Sequence, residues 1–182
     1  QRLLFIFLFT FLVFKANADN KEKIIANLNN ISNFSFQFEQ NINGKIENGN
    51  CTIEYPKKMY CVYDKNNKIL VSNGKSLVIK TKTSYYRYPI EETALNLILD
   101  KNFLLEKIKK SDGDIIDEKY LRFKFVEGDD QINIFFDIFS HNIIGWQNID
   151  IYQNLVITYL FDLKKNINVT KNQFRLPNPT NN

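Results

Sequence analysis

Histidine and cysteine are scarce in this 182-residue chain, which has one histidine and two cysteines. Transition-metal sites draw mainly on these residue types, so no resident metal is expected. His141 stands alone between Ser140 and Asn142, without the partner motif that a catalytic base needs. The six glycines form no phosphate-binding loop, and Asp112 and Asp114 do not follow the spacing of a calcium loop. The sequence therefore predicts no catalytic residue, no cofactor and no enzyme.

A strong charge of either sign is also lacking. The chain has 24 basic and 20 acidic residues, for a formal net charge of +4. Its densest basic clusters, at 107–110 and 164–165, are short and adjoin predicted loops, which is typical of solvated loop charge. We therefore expect no nucleic-acid partner.

The longest apolar run lies at the start of the chain. Residues 3–14 are apolar apart from one threonine, with an arginine before them and small residues after them. This pattern predicts a secretory signal peptide, residues 1–18, cut between Ala18 and Asp19. An uncleaved anchor is disfavoured, because spanning a bilayer takes about 20 apolar residues. Since no methionine begins the chain, we expect its first few residues to be missing. Residues 19–182 are predicted to form one domain that works outside the cytoplasm.

The two cysteines flank a proline turn. If the segments on either side of Pro56 pair as a hairpin with this residue at the tip, Cys51 lies opposite Cys61. Facing residues of a non-hydrogen-bonded pair have the separation that a disulfide needs. In an exported chain this spacing predicts a structural Cys51–Cys61 disulfide.

Hydrophobic periodicity separates helical from extended segments. Apolar residues recur at helical spacing over 20–32, and from Phe34 the period switches to two. Leu and Ile at helical spacing also predict two short helices over 92–99 and 102–109. Further strands are predicted near 45–55, 59–64, 68–73, 76–82, 120–126, 131–138, 143–151, 155–163 and 172–176.

Short turns join consecutive predicted strands, so the sheet should be antiparallel throughout. Helices gathered on one face of such a sheet define an α+β architecture. With about eleven strands the sheet should curl into an unclosed half β-barrel, covered by a lid of short helices. A curved sheet covered only by a few short helices can leave an apolar hollow between the two layers, which suits an apolar ligand.

Several weak motifs follow one another along the chain. They are Leu28-x-x-Ile31-x-x-Phe34-x-x-x-Phe38-x-Gln40, Gly49 with the later Tyr55-Pro56, the segment from Leu70 to Leu77 around Asn73-Gly74, Thr93-x-Leu95-x-Leu97-Ile98-Leu99, the Asn142-Ile143-Ile144 turn, and Phe174-x-Leu176-Pro177-x-Pro179. In this order and spacing they resemble the LolA family, the periplasmic carriers of outer-membrane lipoproteins.

The resemblance implies a soluble periplasmic chaperone of a Gram-negative bacterium. Such a protein binds the acyl chains of lipoproteins in a hydrophobic cavity and carries them from the inner to the outer membrane. The implied partners are acylated lipoproteins, the inner-membrane lipoprotein-releasing ABC transporter and the outer-membrane lipoprotein receptor. We expect a monomer. The alternative is a LolA-like lipid or lipoprotein sensor or regulatory protein of the envelope. The receptor itself is disfavoured, because it needs a cysteine where this chain has Asp19.

The resemblance also directs attention to particular side chains. We predict an acyl-chain-binding cavity lined by Phe34, Phe36, Phe38, Ile53, Met59 and Leu70. The apolar side of the lid is predicted as Ile24, Leu28, Leu95, Ile98 and Leu99. Family members usually tether the empty lid with an arginine immediately before the turn proline. Tyr55 stands at that position here, and its hydroxyl offers one donor in place of five.

Overall fold

The structure of the protein is a computed structural model. It describes residues 19–127, 130–150 and 153–179. The predicted signal peptide lies outside the described residues, so its cleavage stays a prediction. Within the described ranges, no helix combines the length and the apolarity that crossing a membrane requires.

The chain forms one long sheet and a few short helices. Helix α1 spans residues 19–29. The strands are β1 (Asn33–Ile42), β2 (Lys45–Glu54), β3 (Lys58–Tyr63), β4 (Ile69–Asn73), β5 (Ser76–Lys80), β6 (Tyr85–Pro89), β7 (Asp114–Ile116), β8 (Tyr120–Glu127), β9 (Asp130–Asp137), β10 (Ile143–Ile149) and β11 (Leu155–Lys165). Between β6 and β7 lie a 3-10 turn (Ile90–Glu92), helix α2 (Asn96–Leu99) and helix α3 (Lys101–Lys110).

All neighbouring strands of the sheet run antiparallel, in the order β6-β5-β4-β3-β2-β1-β11-β10-β9-β8-β7. Pairing of β1 with β11 joins the two halves, which are otherwise built from consecutive hairpins. The edges are β6 and β7, and the sheet does not close. The predicted α+β class is confirmed: an unclosed half-barrel with a lid of short helices.

The helices end where local hydrogen bonds compete with the helical ladder. Helix α1 stops at residue 29, before the predicted 32, as Asn30 and Ile31 donate to carbonyls only three residues back. The helix predicted over 92–99 is divided at Thr93, whose backbone is extended and whose hydroxyl donates to the Ile90 carbonyl at 2.8 Å. The predicted helix over 102–109 is confirmed as α3. Its N-cap is Asp100, which accepts from the Phe103 backbone N–H at 3.1 Å.

Both edge strands are missing from the sequence prediction, and one predicted strand is wrong. β6 reads YYRYP, without alternation and with a final proline, and β7 has only three residues. Residues 172–176, predicted as a strand, form a turn followed by an irregular segment. This segment lies across the outer face of the sheet near Tyr60 and Val71, so no free strand edge is beside it to pair with. Its Phe174 is nevertheless buried.

The predicted disulfide is confirmed together with its register. Cys51 and Cys61 face each other across β2 and β3, and their Cα atoms are 4.1 Å apart. Ile53 faces Met59 in the same register, as a hairpin centred on Pro56 requires. The bridge therefore holds two neighbouring strands of the N-terminal half together.

Candidate functional site: a helical layer over the concave face

The concave face of the sheet carries the side chains predicted to line a cavity. Phe34, Phe36 and Phe38 alternate along β1, and each is at most 4% exposed. Facing residues of an antiparallel pair project to the same side, so register extends this face to the neighbouring strands. It places Ile53 opposite Phe34, Met59 opposite Ile53, and Leu70 opposite Cys61. All six predicted lining residues thus share one buried face.

The C-terminal half of the sheet contributes as much to this face as the N-terminal half. Trp146 of β10 is buried, and its ring forms a T-shaped pair with the Phe36 ring, with 6.2 Å between the ring centres. Strands β8 and β9 add a further row of buried side chains that were not among the predicted lining residues: Leu121, Phe123, Phe125, Ile132, Ile134 and Phe136. The strict alternation of apolar residues along these two strands could have identified them.

The helices pack their apolar side against this face. Of the predicted lid residues, Leu95 is partly buried and the other four are buried, namely Ile24, Leu28, Ile98 and Leu99. Helix α3 adds a buried stripe that the prediction omitted, although the spacing of its members indicates it: Leu104, Leu105 and Ile108. Side chains from sheet and helices form a single apolar cluster.

Sheet and helices are in direct contact in this state. The apolar cluster includes buried side chains of both the sheet and the helices, so the two layers are packed against each other. Two grooves of about 570 and 560 Å³ lie on the convex face. The larger is bordered by Ser35, Gln37 and Thr52, which alternate with the core positions. A hollow beneath the lid stays a prediction.

The tip of the β2–β3 hairpin holds the helical layer through Lys57. Its backbone N–H donates to the Leu99 carbonyl, at the end of α2, over 2.8 Å. Its Nζ atom lies 3.6 Å from a carboxylate oxygen of Glu91 and 3.6 Å from one of Asp100. The Ser72 hydroxyl donates to the Lys57 carbonyl at 2.5 Å, which fixes the tip to β4. Lys57 therefore contacts the 3-10 turn, α2 and the cap of α3.

Tyr55, at the position where the resemblance implies an arginine in family members, contacts the layer through its ring. The ring lies 6.0 Å from that of Phe34, and the Lys101 Nζ atom of α3 is 5.7 Å from its centre. Lys101 also donates to the Ile31 carbonyl at 2.9 Å, linking α3 to the end of α1. Burial raises the pKa of Tyr55 above its ordinary value, so the phenol stays neutral. A role for Tyr55 in lid closure stays a prediction.

Helix α1 is attached on the other side, at the β9–β10 turn. The Asn27 amide donates to the His141 carbonyl at 2.6 Å and to the Asn142 side chain at 3.1 Å. In turn, Lys165 donates to the Asn27 side chain at 2.7 Å. His141 has a φ of 58° in this turn. Its backbone thus has a structural role, and the described residues bring no three His, Cys, Asp or Glu side chains together as metal ligands.

A family model described as "Outer membrane lipoprotein carrier protein LolA" matches residues 29–177. The chain belongs to the LolA family. The resemblance carried by the ordered motifs is therefore confirmed. This is a family of binding and carrier proteins rather than enzymes. Among curated proteins, none matches the chain.

Solved structures share the fold at low sequence identity. An uncharacterized conserved protein from Thermus thermophilus has a TM-score of 0.50 and 7% identity, over 88% of this chain and 94% of that one. MucB also has a TM-score of 0.50, with 10% identity, over 90% of this chain and 64% of its own. A LolA superfamily protein from Nitrosomonas europaea has a TM-score of 0.43 and 6% identity, over 85% of this chain and 97% of that one. These likenesses concern the fold alone.

In this LolA-family chain, Lys57→Met should loosen the helical layer without unfolding the sheet. The substitution removes the charge that faces Glu91 and Asp100 and keeps the backbone hydrogen bond to α2. A partly exposed ion pair contributes up to about 1 kcal/mol. Hydrogen–deuterium exchange of amides in 96–105 should therefore accelerate up to about fivefold. Lys124→Met, an exposed change on the convex face, is the matched control. Equal exchange in the two variants would contradict a holding role for the Lys57 side chain.

Proposed function

We propose that this chain is a soluble periplasmic carrier that takes up the acyl chains of lipoproteins and carries them from the inner to the outer membrane. The observation that carries the proposal is the division of one apolar cluster between an unclosed sheet and a separate layer of short helices. Family membership supports it, because the family is described by this cargo.

The energetics of the cargo explain why a protein shield is required. Exposing one methylene to water costs about 0.8 kcal/mol, so a chain of roughly sixteen carbons costs about 12 kcal/mol. A protein that separates its helices from its sheet exposes apolar surface of its own. An acyl chain inserted between them covers both surfaces, so binding offsets the cost of opening.

The polar attachments of the helices suit repeated opening. Lys57 on one side and Asn27 on the other hold the layer through a few hydrogen bonds and partly exposed ion pairs. Net contributions of such contacts are about 0.5–1.5 kcal/mol each, far less than the acyl chain supplies. In the proposal, Phe34, Phe36 and Phe38 contact the cargo from the sheet.

Trp146 provides a built-in reporter for the test. It is the only tryptophan in the chain and lies on the concave face beside Phe36. A synthetic diacylated lipopeptide with brominated acyl chains should quench its fluorescence, with saturation near one lipopeptide per protein. The same lipopeptide without bromine and the unacylated peptide are the controls. If the brominated lipopeptide gives no more quenching than these controls, acyl binding on the concave face is refuted.

The sensor alternative makes a different prediction in the same assay. A carrier should be quenched by the brominated lipopeptide at lower concentrations than by brominated phosphatidylethanolamine. It should also pass its lipopeptide to acceptor vesicles. A lipid sensor should prefer the phospholipid and retain it. Mass spectrometry of what co-purifies with the protein gives an independent reading: acylated peptide supports the carrier, and phospholipid alone supports the sensor.

A further inference from the structure

The concave face changes character along its strands. On β1 the inward side chains are Phe34, Phe36 and Phe38, and the next is Gln40. On β2 the inward positions Ile53 and Cys51 are apolar, Gly49 has no side chain, and the next inward residue is Glu47. The change falls at one register, because Gln40 faces Glu47. A polar boundary therefore crosses neighbouring strands rather than following one of them.

The strands on either side continue this boundary. Thr158 of β11 faces Gln40 and is buried. The neighbouring inward residue of β11, Leu160, faces Phe38 and is apolar. On β3 the last inward residue is Tyr63. Its ring forms a T-shaped pair with the Phe38 ring at 4.9 Å, and its hydroxyl reaches the side chain of Gln40. We define the polar end as Gln40, Glu47, Tyr63, Lys68 and Thr158.

Hydrogen bonds and ion pairs connect the members of the polar end. The Tyr63 hydroxyl donates to the side-chain oxygen of Gln40 at 3.3 Å. The side-chain amide nitrogen of Gln40 donates to the Thr158 hydroxyl at 3.1 Å. Lys68 donates to Glu47 at 2.6 Å, and its Nζ atom lies 3.9 Å from the centre of the Tyr63 ring. A second cation, the exposed Lys45, is 3.0 Å from Glu47. Two cations thus face one carboxylate.

The helices are anchored at the opposite end of the sheet. Lys57 and Tyr55, which contact α2 and α3, adjoin Ile53 and the start of β1. Gln40 is six residues beyond Phe34 along β1, a distance of about 20 Å in a strand. The Lys68 and Glu47 side chains are 20% and 12% exposed, so water reaches them without any movement of the anchored helices.

We propose that the polar end is the subsite for the head of an amphiphile whose acyl chains lie under the helices. This inference rests on the proposed function and adds the orientation and head chemistry of the ligand. Lys68 and the amide of Gln40 donate hydrogen bonds, so they suit acceptor-rich heads such as glyceryl esters, amides and carboxylates. The excess of one cation over the carboxylate disfavours a cationic head.

The ionisation of Glu47 keeps this charge arrangement at neutral pH. Burial works to raise its pKa, but hydrogen bonds from Lys68 and Lys45 outweigh burial and hold the pKa below its ordinary value. The carboxylate is therefore charged throughout the neutral range, and it offsets one of the two cations, Lys68 and Lys45, that face it.

Three single-chain probes of equal length test the inference: tetradecanoate, 1-monotetradecanoylglycerol and tetradecyltrimethylammonium. Their dissociation constants are measured by Trp146 fluorescence at pH 7.4, below the concentrations at which they form micelles. We expect the cationic probe to bind at least about tenfold more weakly than tetradecanoate, with the glyceride between them. Equal affinities for all three probes would overturn the inference.

Two variants at one ion pair should change the preference in opposite directions. Lys68→Met removes the largely buried donor and should reduce the preference for tetradecanoate over the cationic probe to about threefold or less. Glu47→Gln leaves both lysines without a carboxylate and should increase it above the wild-type ratio. A merely structural role would weaken all probes alike in both variants, which would also overturn the inference.

A control separates this inference from the proposed function. Lys124→Met removes a lysine from the convex face and should leave the ratio of affinities for tetradecanoate and the cationic probe unchanged. A change in this ratio as large as that caused by Lys68→Met would contradict a local subsite. If none of the probes and no acylated peptide binds, both the proposed function and the subsite that rests on it are refuted. If all probes bind without discrimination, the carrier proposal stands and the subsite alone is refuted.

Discussion

Replacing Phe34 by alanine should lower the free energy of unfolding by about 3–5 kcal/mol. The Phe34 side chain is 1% exposed, faces Ile53, and has the Phe36 and Tyr55 rings within 6.0 Å of its centre. It lies where β1, the β2–β3 hairpin and the helical layer meet. Its removal leaves a cavity in a part of the core where disulfide-linked strands leave little freedom to collapse.

Urea unfolding followed by Trp146 fluorescence measures this effect. The matched control is Phe139→Ala, because Phe139 is 77% exposed in the β9–β10 turn and its removal should change stability by less than about 0.5 kcal/mol. Phe34→Leu, which keeps much of the volume, should fall between the two variants. A Phe34→Ala variant as stable as Phe139→Ala would show that the helices and the sheet are not packed through this residue.

Removing the disulfide is expected to destabilise the protein by about 2–3 kcal/mol. Cys51 and Cys61 are separated by 10 residues, and closing a loop of this length lowers the entropy of the unfolded chain by roughly that amount. Because both sulfur atoms are buried on the concave face, the double variant Cys51→Ala/Cys61→Ala also leaves a small void. The double variant avoids an unpaired buried thiol, which a single substitution would create.

Reduced wild-type protein provides the internal comparison for this prediction. Unfolding in the presence of a strong thiol reductant should bring the wild type to within about 1 kcal/mol of the double variant, and the reductant should leave the double variant unchanged. If the oxidised wild type and the double variant unfold at the same urea concentration, the bridge does not stabilise the fold.

The N-terminal half of the site was predictable because its signals are local. Alternation along 34–38 identifies one face of β1, and the symmetric spacing of Cys51 and Cys61 around Pro56 determines the register of β2 on β3. These patterns group Phe34 with Phe36 and Phe38, and Ile53 with Met59, but only the β1–β2 register of the structure places the two groups on one face. Leu70 joins this face through the pairing of β3 with β4, in which it lies opposite Cys61.

The attachment of the lid was not predictable from local patterns. Two adjacent lysines of the hairpin have different partners. Lys57 contacts Glu91 and Asp100 of the helical layer, whereas Lys58 pairs with Glu54 on the adjacent strand. The difference depends on a turn residue with a φ of 63° meeting a carbonyl more than forty residues away. No periodicity within either segment encodes that meeting.

By itself, the sequence determined the strands between the two edges, the disulfide register and the family, because side-chain alternation and turn chemistry act over a few residues. Only the tertiary structure decided that sheet and helices meet in one packed cluster, that Lys57 and Asn27 hold the helical layer, and that polar side chains of β1, β2, β3 and β11 gather at one end. Such contacts join residues distant in the chain, and their positions depend on the curvature of the whole sheet.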